Sequence, residues 1–217
     1  MKSTFFLVSI LILISLIVLG QKNVVGLFDA NEDIGNPKKP GSTRFDKTTR
    51  TYYLKGSGYN IWFNRDEFQY LYKKMKGDFT LTANFQFLGD TGNAHRKVGW
   101  MIRESTAEDA IHTSAVIHGD GLTVLQWRTM KGMNMRDPED ELFFPKKNFE
   151  IVQLERIGKN MTMRVGNTGE ALQTVGTHKM LNMPDNVLAG LFICSHDSNT
   201  AVQGKVWNVK VTKRQPK

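Results

Sequence analysis

The sequence predicts an all-β protein, two stacked antiparallel sheets forming a jelly-roll sandwich. Runs of alternating apolar and polar residues recur from Arg44 onward, and the turns between them are rich in Gly, Asn and Asp. No segment keeps a helical period for longer than a turn or two. About ten such runs over about 170 residues suit two sheets, with a closed barrel as the competing architecture.

The chain of 217 residues opens with Lys2 and an apolar run from Phe5 to Leu19, interrupted only by Ser9 and Ser15. Residues 1–20 are therefore expected to be a signal peptide cleaved after Gly20, or a retained anchor, since about 18 apolar residues can span a bilayer. Either way the rest of the chain faces an exported space: periplasmic, secreted or anchored at the cell surface. Residues 21–43, with Gly26, Gly35, Pro37, Pro40 and Gly41, are expected to be a linker with one short strand near its end. Residues 44–217 form the expected domain, long enough for one sizeable core.

Within that domain "TRTYYLKGSG" gives the first strand and "DFTLTANFQFL" the clearest one. Between them "RDEFQYLYKKM" places Phe68, Leu71, Tyr72 and Met75 at three- and four-residue spacing, which predicts a short helical turn with Asp66 in an N-cap role. Further strands are expected at "HRKVGWMIRES", "IHTSAVIHG", "GLTVLQWRT", "FEIVQLERIG", "NMTMRVGN", "LQTVGTH", "VLAGLFICSH" and "AVQGKVWNVKVTK".

Composition excludes more than it assigns. The single cysteine, Cys194, cannot form an intramolecular disulfide and reads as a buried thiol. A net charge of +8 suits acidic polysaccharide or anionic lipid, but the basic residues are scattered and export argues against nucleic acid. The five histidines lack metal-ligand spacing. "RDPEDE" (136–141) has acids that would suit Ca²⁺, yet lacks EF-hand spacing and is expected to be a solvated loop. No cofactor is expected.

Alternation also sorts side chains by face. Val98, Trp100 and Ile102 oppose Lys97, Gly99, Met101 and Arg103. Ala115 and Ile117 oppose Ser114, Val116 and His118, and Leu125 and Trp127 oppose Val124, Gln126 and Arg128. With Phe192 and Cys194, the apolar sets are expected to be buried and the polar sets to face away from them. Arg103, His118, Gln126 and Arg128 would then share one concave face, with Tyr59 and Trp62 at its rim. Such a face is either a polar outer surface over which arginines lie, or a groove whose polar groups meet sugar hydroxyls above an aromatic floor. Trp62 suits a core position as well as a platform. Asp66 and Glu67 are adjacent, so they point apart and make a poor catalytic pair.

These motifs, with "GSGYNIWFNRDEFQYLYKKMKGDF", "MRDPEDE" and "NMPDNVLAGLFICSH", resemble an exported bacterial group of the concanavalin A-like lectin/glucanase superfamily. Its domains stand alone or follow Tol-type biopolymer-transporter propellers. The resemblance covers about residues 44–213. It implies a jelly roll that binds or cleaves glycans on one sheet. The paired acids of the glucanases (E-x-D-x-x-E) are absent, which favours a non-catalytic carbohydrate-binding domain. The alternatives are a polysaccharide lyase or hydrolase, and a structural domain with a cell-envelope protein partner. A lyase would draw on Arg103, Arg128, His118 and Tyr59 to hold a uronate and move its α-proton.

Overall fold

The computed structural model describes residues 24–214, and all their regular structure is β. The leader expected over residues 1–20 lies outside the described residues. Fourteen strands form in chain order: β1 (Ala30–Ile34), β2 (Ser42–Asp46), β3 (Thr51–Gly58), β4 (Phe68–Lys76), β5 (Phe79–Leu88), β6 (Lys97–Arg103) and β7 (His112–His118), then β8 (Thr123–Arg128), β9 (Glu141–Phe143), β10 (Ile151–Ile157), β11 (Asn160–Gly166), β12 (Gln173–Lys179), β13 (Asn186–Cys194) and β14 (Asp197–Lys213). They make two seven-stranded sheets in the orders β1-β4-β13-β6-β7-β8-β9 and β12-β11-β10-β5-β14-β3-β2. Every pairing between these strands is antiparallel. The sandwich is formed, not the barrel.

The inner faces meet where alternation places them. Leu71, Trp100, Ile102, Ala115 and Leu125 of the first sheet pack against Tyr52, Leu81, Phe85, Val152 and Leu154 of the second. Trp100 lies edge-on to Phe85, with centroids 5.9 Å apart, and its indole N–H donates to Val152 O at 3.1 Å. Burying each of these large side chains contributes roughly 1.5–3 kcal/mol. The indole also satisfies a polar atom that would otherwise be stranded.

Three local expectations are corrected. The stretch expected to turn helically is β4. Phe68, Tyr70 and Tyr72 point outward while Leu71 and Met75 point into the core. A strand apolar on both faces offers residues at every short spacing, helical ones included. The second correction is at the N-terminus: the sandwich begins inside the stretch expected as linker, because Phe28 is buried in the core and β1 pairs along β4. Third, Phe192 and Cys194 are buried as expected but on the outer face, beside Phe68, Tyr70 and Met101.

Candidate functional site

Strands β6, β7 and β8 are adjacent and in register, so their outward side chains form cross-strand rows. One row reads Arg103, His112, Arg128; the next Met101, Ser114, Gln126, extended by Glu141 of β9. Then come Gly99, Val116, Val124 and Phe143, and finally Lys97 with His118. The shared face expected for Arg103, His118, Gln126 and Arg128 is thus present. All of them are buried, because other segments of the chain lie across that face.

The principal cover is residues 59–67. Gly58 starts it at φ +128°, where a Cβ would stand 1.9 Å from Glu67 O, so only glycine lets the two ends of the loop close together. Ile61 bridges Asp66, and Glu67 N donates to Asn60 O at 3.0 Å. This narrow closure delivers Asp66 onto the first row. Its carboxylate receives Arg103 Nη1 at 3.1 Å and Arg128 Nη1 and Nη2 at 2.8 and 2.7 Å, all three side chains fully buried. Every guanidinium nitrogen of the two arginines has a partner. Arg103 donates to Ser105 O and Ala107 O; Arg128 donates to Met133 O, Ala110 O and Phe63 O. Gln126 Nε2 donates to Ile61 O at 3.1 Å. Asp66 is therefore no helix cap but the anchor of the covering loop. Any ligand reaching either arginine has to displace it.

The opposite end of the face is different. Lys97 Nζ donates to Asn60 Oδ1 at 2.9 Å and to His95 O at 3.5 Å. Beside it His118 is only 7 % exposed, and neither ring nitrogen has a partner. Two more imidazoles close the cluster: His95 lies with its ring centroid 5.8 Å from His118 and 5.6 Å from His196. His95 is exposed and His196 half-buried, so the cluster opens to solvent. Burial, then the nearby charge of Lys97, pushes His118 down to about 3 and His196 to about 4, leaving both rings neutral at pH 7. Two rows away, on β9, burial and the adjacent Asp137 carboxyl raise Glu141 to about 7, with Lys97 opposing. Burial pushes the Cys194 thiol up to about 11, which suits an inert thiol.

Tyr59 and Trp62 are half-buried on the covering loop. Tyr59 stacks parallel to the exposed Phe63 at 6.1 Å, lies under the Arg65 guanidinium, and donates its hydroxyl to Arg65 O. Thus the structure brings His118 and Gln126 to one face with Lys97, His95, His196, Asn60 and Glu141, while Arg103 and Arg128 are locked under Asp66. Of the residues not anticipated, Lys97 stood in the same parity set as Arg103. His95 and His196 come from turns, for which alternation has no rule. Glu141 lies in the segment expected to be a solvated loop; that segment instead holds buried Asp140 and leads into β9. Among the described residues no group of three or more His, Cys, Asp or Glu has the geometry to hold a metal ion. A hollow of about 420 Å³ lies elsewhere, lined by Lys74, Met75, Lys76, Glu104, Asn186, Val187, Leu188 and Lys213, without any buried unpartnered polar side chain. The histidine cluster is the better candidate, because its nearly buried imidazole lacks the partner that such groups almost always have.

No family model matches the chain, and no curated protein matches it in sequence. Solved structures do match. A functionally unknown protein from Saccharomyces cerevisiae superposes with a TM-score of 0.61 at 12 % identity, covering 86 % of this chain and 97 % of that one. A variant of alginate lyase A1-II′ gives 0.54 at 6 % identity, covering 79 % and 83 %. Lectin II from Ulex europaeus gives 0.52 at 8 %, covering 87 % and 100 %. Identities this low show the fold alone. The chain is a lectin-like jelly-roll sandwich, which fits the concanavalin A-like architecture.

Proposed function

We propose that the chain is an exported glycan-binding sandwich, non-catalytic, that seats its ligand at the end of the outer face left open by residues 59–67. The observation that carries this reading is His118, nearly buried with both ring nitrogens unpartnered and flanked by His95, His196 and Lys97. Sugar hydroxyls both donate and accept, so they suit a neutral imidazole beside an ammonium and an amide oxygen. The stacked Tyr59 and Phe63 on the covering loop add aromatic surface of the kind that meets the apolar face of a sugar ring. The lectin and alginate lyase likenesses agree with this choice of ligand class. Bacterial origin, the export leader and an association with Tol-type propellers belong to the same proposal.

Affinity electrophoresis and a glycan array on residues 21–217, which retain every strand of both sheets, test it. Binding is expected to at least one polysaccharide, and His118→Ala should weaken it about tenfold, the equivalent of about 1.4 kcal/mol. An unretarded protein with a silent array, or a His118→Ala variant that binds as wild type, contradicts it.

One observation favours a second reading, an enzyme acting on polysaccharide. Glu141, held at about 7, is a carboxyl able to give or take a proton near neutral pH on the same face. Product analysis of any bound polysaccharide separates the two. New chain ends that vanish with Glu141→Gln support catalysis, and intact polymer supports binding alone.

A further inference from the structure

Three cations lie buried on the outer face, and they differ in their counter-charge. Arg103 and Arg128 share the Asp66 carboxylate. Lys97, 4 % exposed, has no carboxylate within ion-pair distance among the described residues. Its two acceptors are uncharged: the Asn60 amide oxygen and, at the long distance of 3.5 Å, the His95 carbonyl. An ammonium has three N–H donors, so one is left without a protein acceptor. A buried cation without a partner is costly, and proteins pair such groups. The charged and titratable neighbours do not supply the pair. His118 and His196 are held neutral, the Cys194 thiol is raised to about 11, and Asp66 is taken by Arg103 and Arg128. Asp120 is engaged by Lys147 at 2.6 Å, and Glu141 sits near the midpoint of its titration at neutral pH, so burial lowers Lys97 from its ordinary value.

Resting on the glycan-binding reading, we infer that Lys97 is an anion subsite and that the ligand is an acidic glycan, whose carboxylate or sulfate meets the Lys97 ammonium between His95, His118 and His196. The anion supplies both the missing acceptor and the missing counter-charge. The neutral His118 ring, as one tautomer, donates a second hydrogen bond to it. Glu141 acts against the ligand through space, since its ionised form partly offsets the Lys97 charge and repels the ligand's anion.

The test measures the affinity of residues 21–217 for polyuronates, sulfated polysaccharides and uncharged glycans on one array, followed by titration of the best of each. Acidic glycans are expected to bind at least about tenfold tighter than neutral ones, and the stronger of the carboxylate and sulfate arms identifies the anion. Lys97→Met, which keeps the stem, should abolish that preference, and Lys97→Arg should keep most of it. Lys213→Glu, on the second sheet, should leave the preference intact. Should Lys97→Met fail to fold, Glu141→Gln at pH 8 decides: acidic ligands tighten and neutral ones do not. Neutral glycans bound as tightly as acidic ones overturn this inference and leave the glycan reading standing. So does a Lys213→Glu effect equal to that of Lys97→Met, or a Glu141→Gln variant unchanged at pH 8. Failure to bind any glycan overturns both.

Discussion

Asp66 is fully buried between two guanidiniums and takes three charge-assisted contacts from them. Removing one partner of a buried ion pair leaves the other charge uncompensated, so Asp66→Ala should cost about 3–5 kcal/mol. Urea unfolding measures it. A loss below about 1 kcal/mol would mean that the arginines do not depend on this anchor. The histidines give a second residue-scale expectation. His112, between Arg103 and Arg128, is held well below its ordinary value by burial and by their charge, and His118 and His196 stand at about 3 and about 4. Each binds a proton more readily unfolded, near 6.5, than folded. The stability they protect is complete above about 6.5 and is lost as pH falls through the folded values. Glu141, raised to about 7, acts oppositely, its contribution being lost as pH rises from its ordinary range toward 7. Burial lowers His178 as well and raises Asp33, so four histidines stand against two carboxyls and stability should rise with pH between about 4.5 and 6.5. His118→Asn should flatten that rise, and equal slopes in wild type and variant would contradict the assignment. The sequence made Arg103, Gln126 and Arg128 legible as one face by parity alone. It could not show that Asp66, in the connection between β3 and β4, is folded onto them, because parity carries no information about which loop covers a face.

At the scale of the element, the loop over residues 59–67 decides what the outer face can do. Its closure depends on Gly58, where any Cβ would collide with the Glu67 carbonyl and where φ is +128°. Gly58→Ala combines backbone strain with that collision, and a loss of at least about 2 kcal/mol is expected in urea unfolding. A variant within about 0.5 kcal/mol of wild type would show that the loop tolerates a different entry. The strand β4 that follows was illegible as a strand. Its tyrosines and phenylalanine pack on the outer face with Ile61 of the loop and with Ile34, Met101 and Phe192 of neighbouring strands, its Leu71 and Met75 against the second sheet, and a doubly buried strand loses the period of two. β9 escaped notice for another reason: three residues, two of them exposed, leave no pattern to detect.

Across the whole molecule, the ten strands with clear alternation formed as read, because each has one face on the core between the sheets and that burial sets the register. The edge strand β1 was hidden among glycines and prolines that punctuate a linker equally well, while β2 stands where one short strand was expected near the end of that stretch. The assembled sandwich places a closed, ion-paired region and an open, imidazole-lined region on the same sheet face. Ligand is expected to engage the second and to leave the first intact. NMR on residues 21–217, titrated with the glycan selected on the array, tests it most directly. Shifts are expected at the His95, His118 and His196 rings and the Lys97 ammonium, with the Arg103 and Arg128 Nε–H resonances unmoved. Guanidinium resonances that shift with ligand while the three imidazoles stay in place would contradict it.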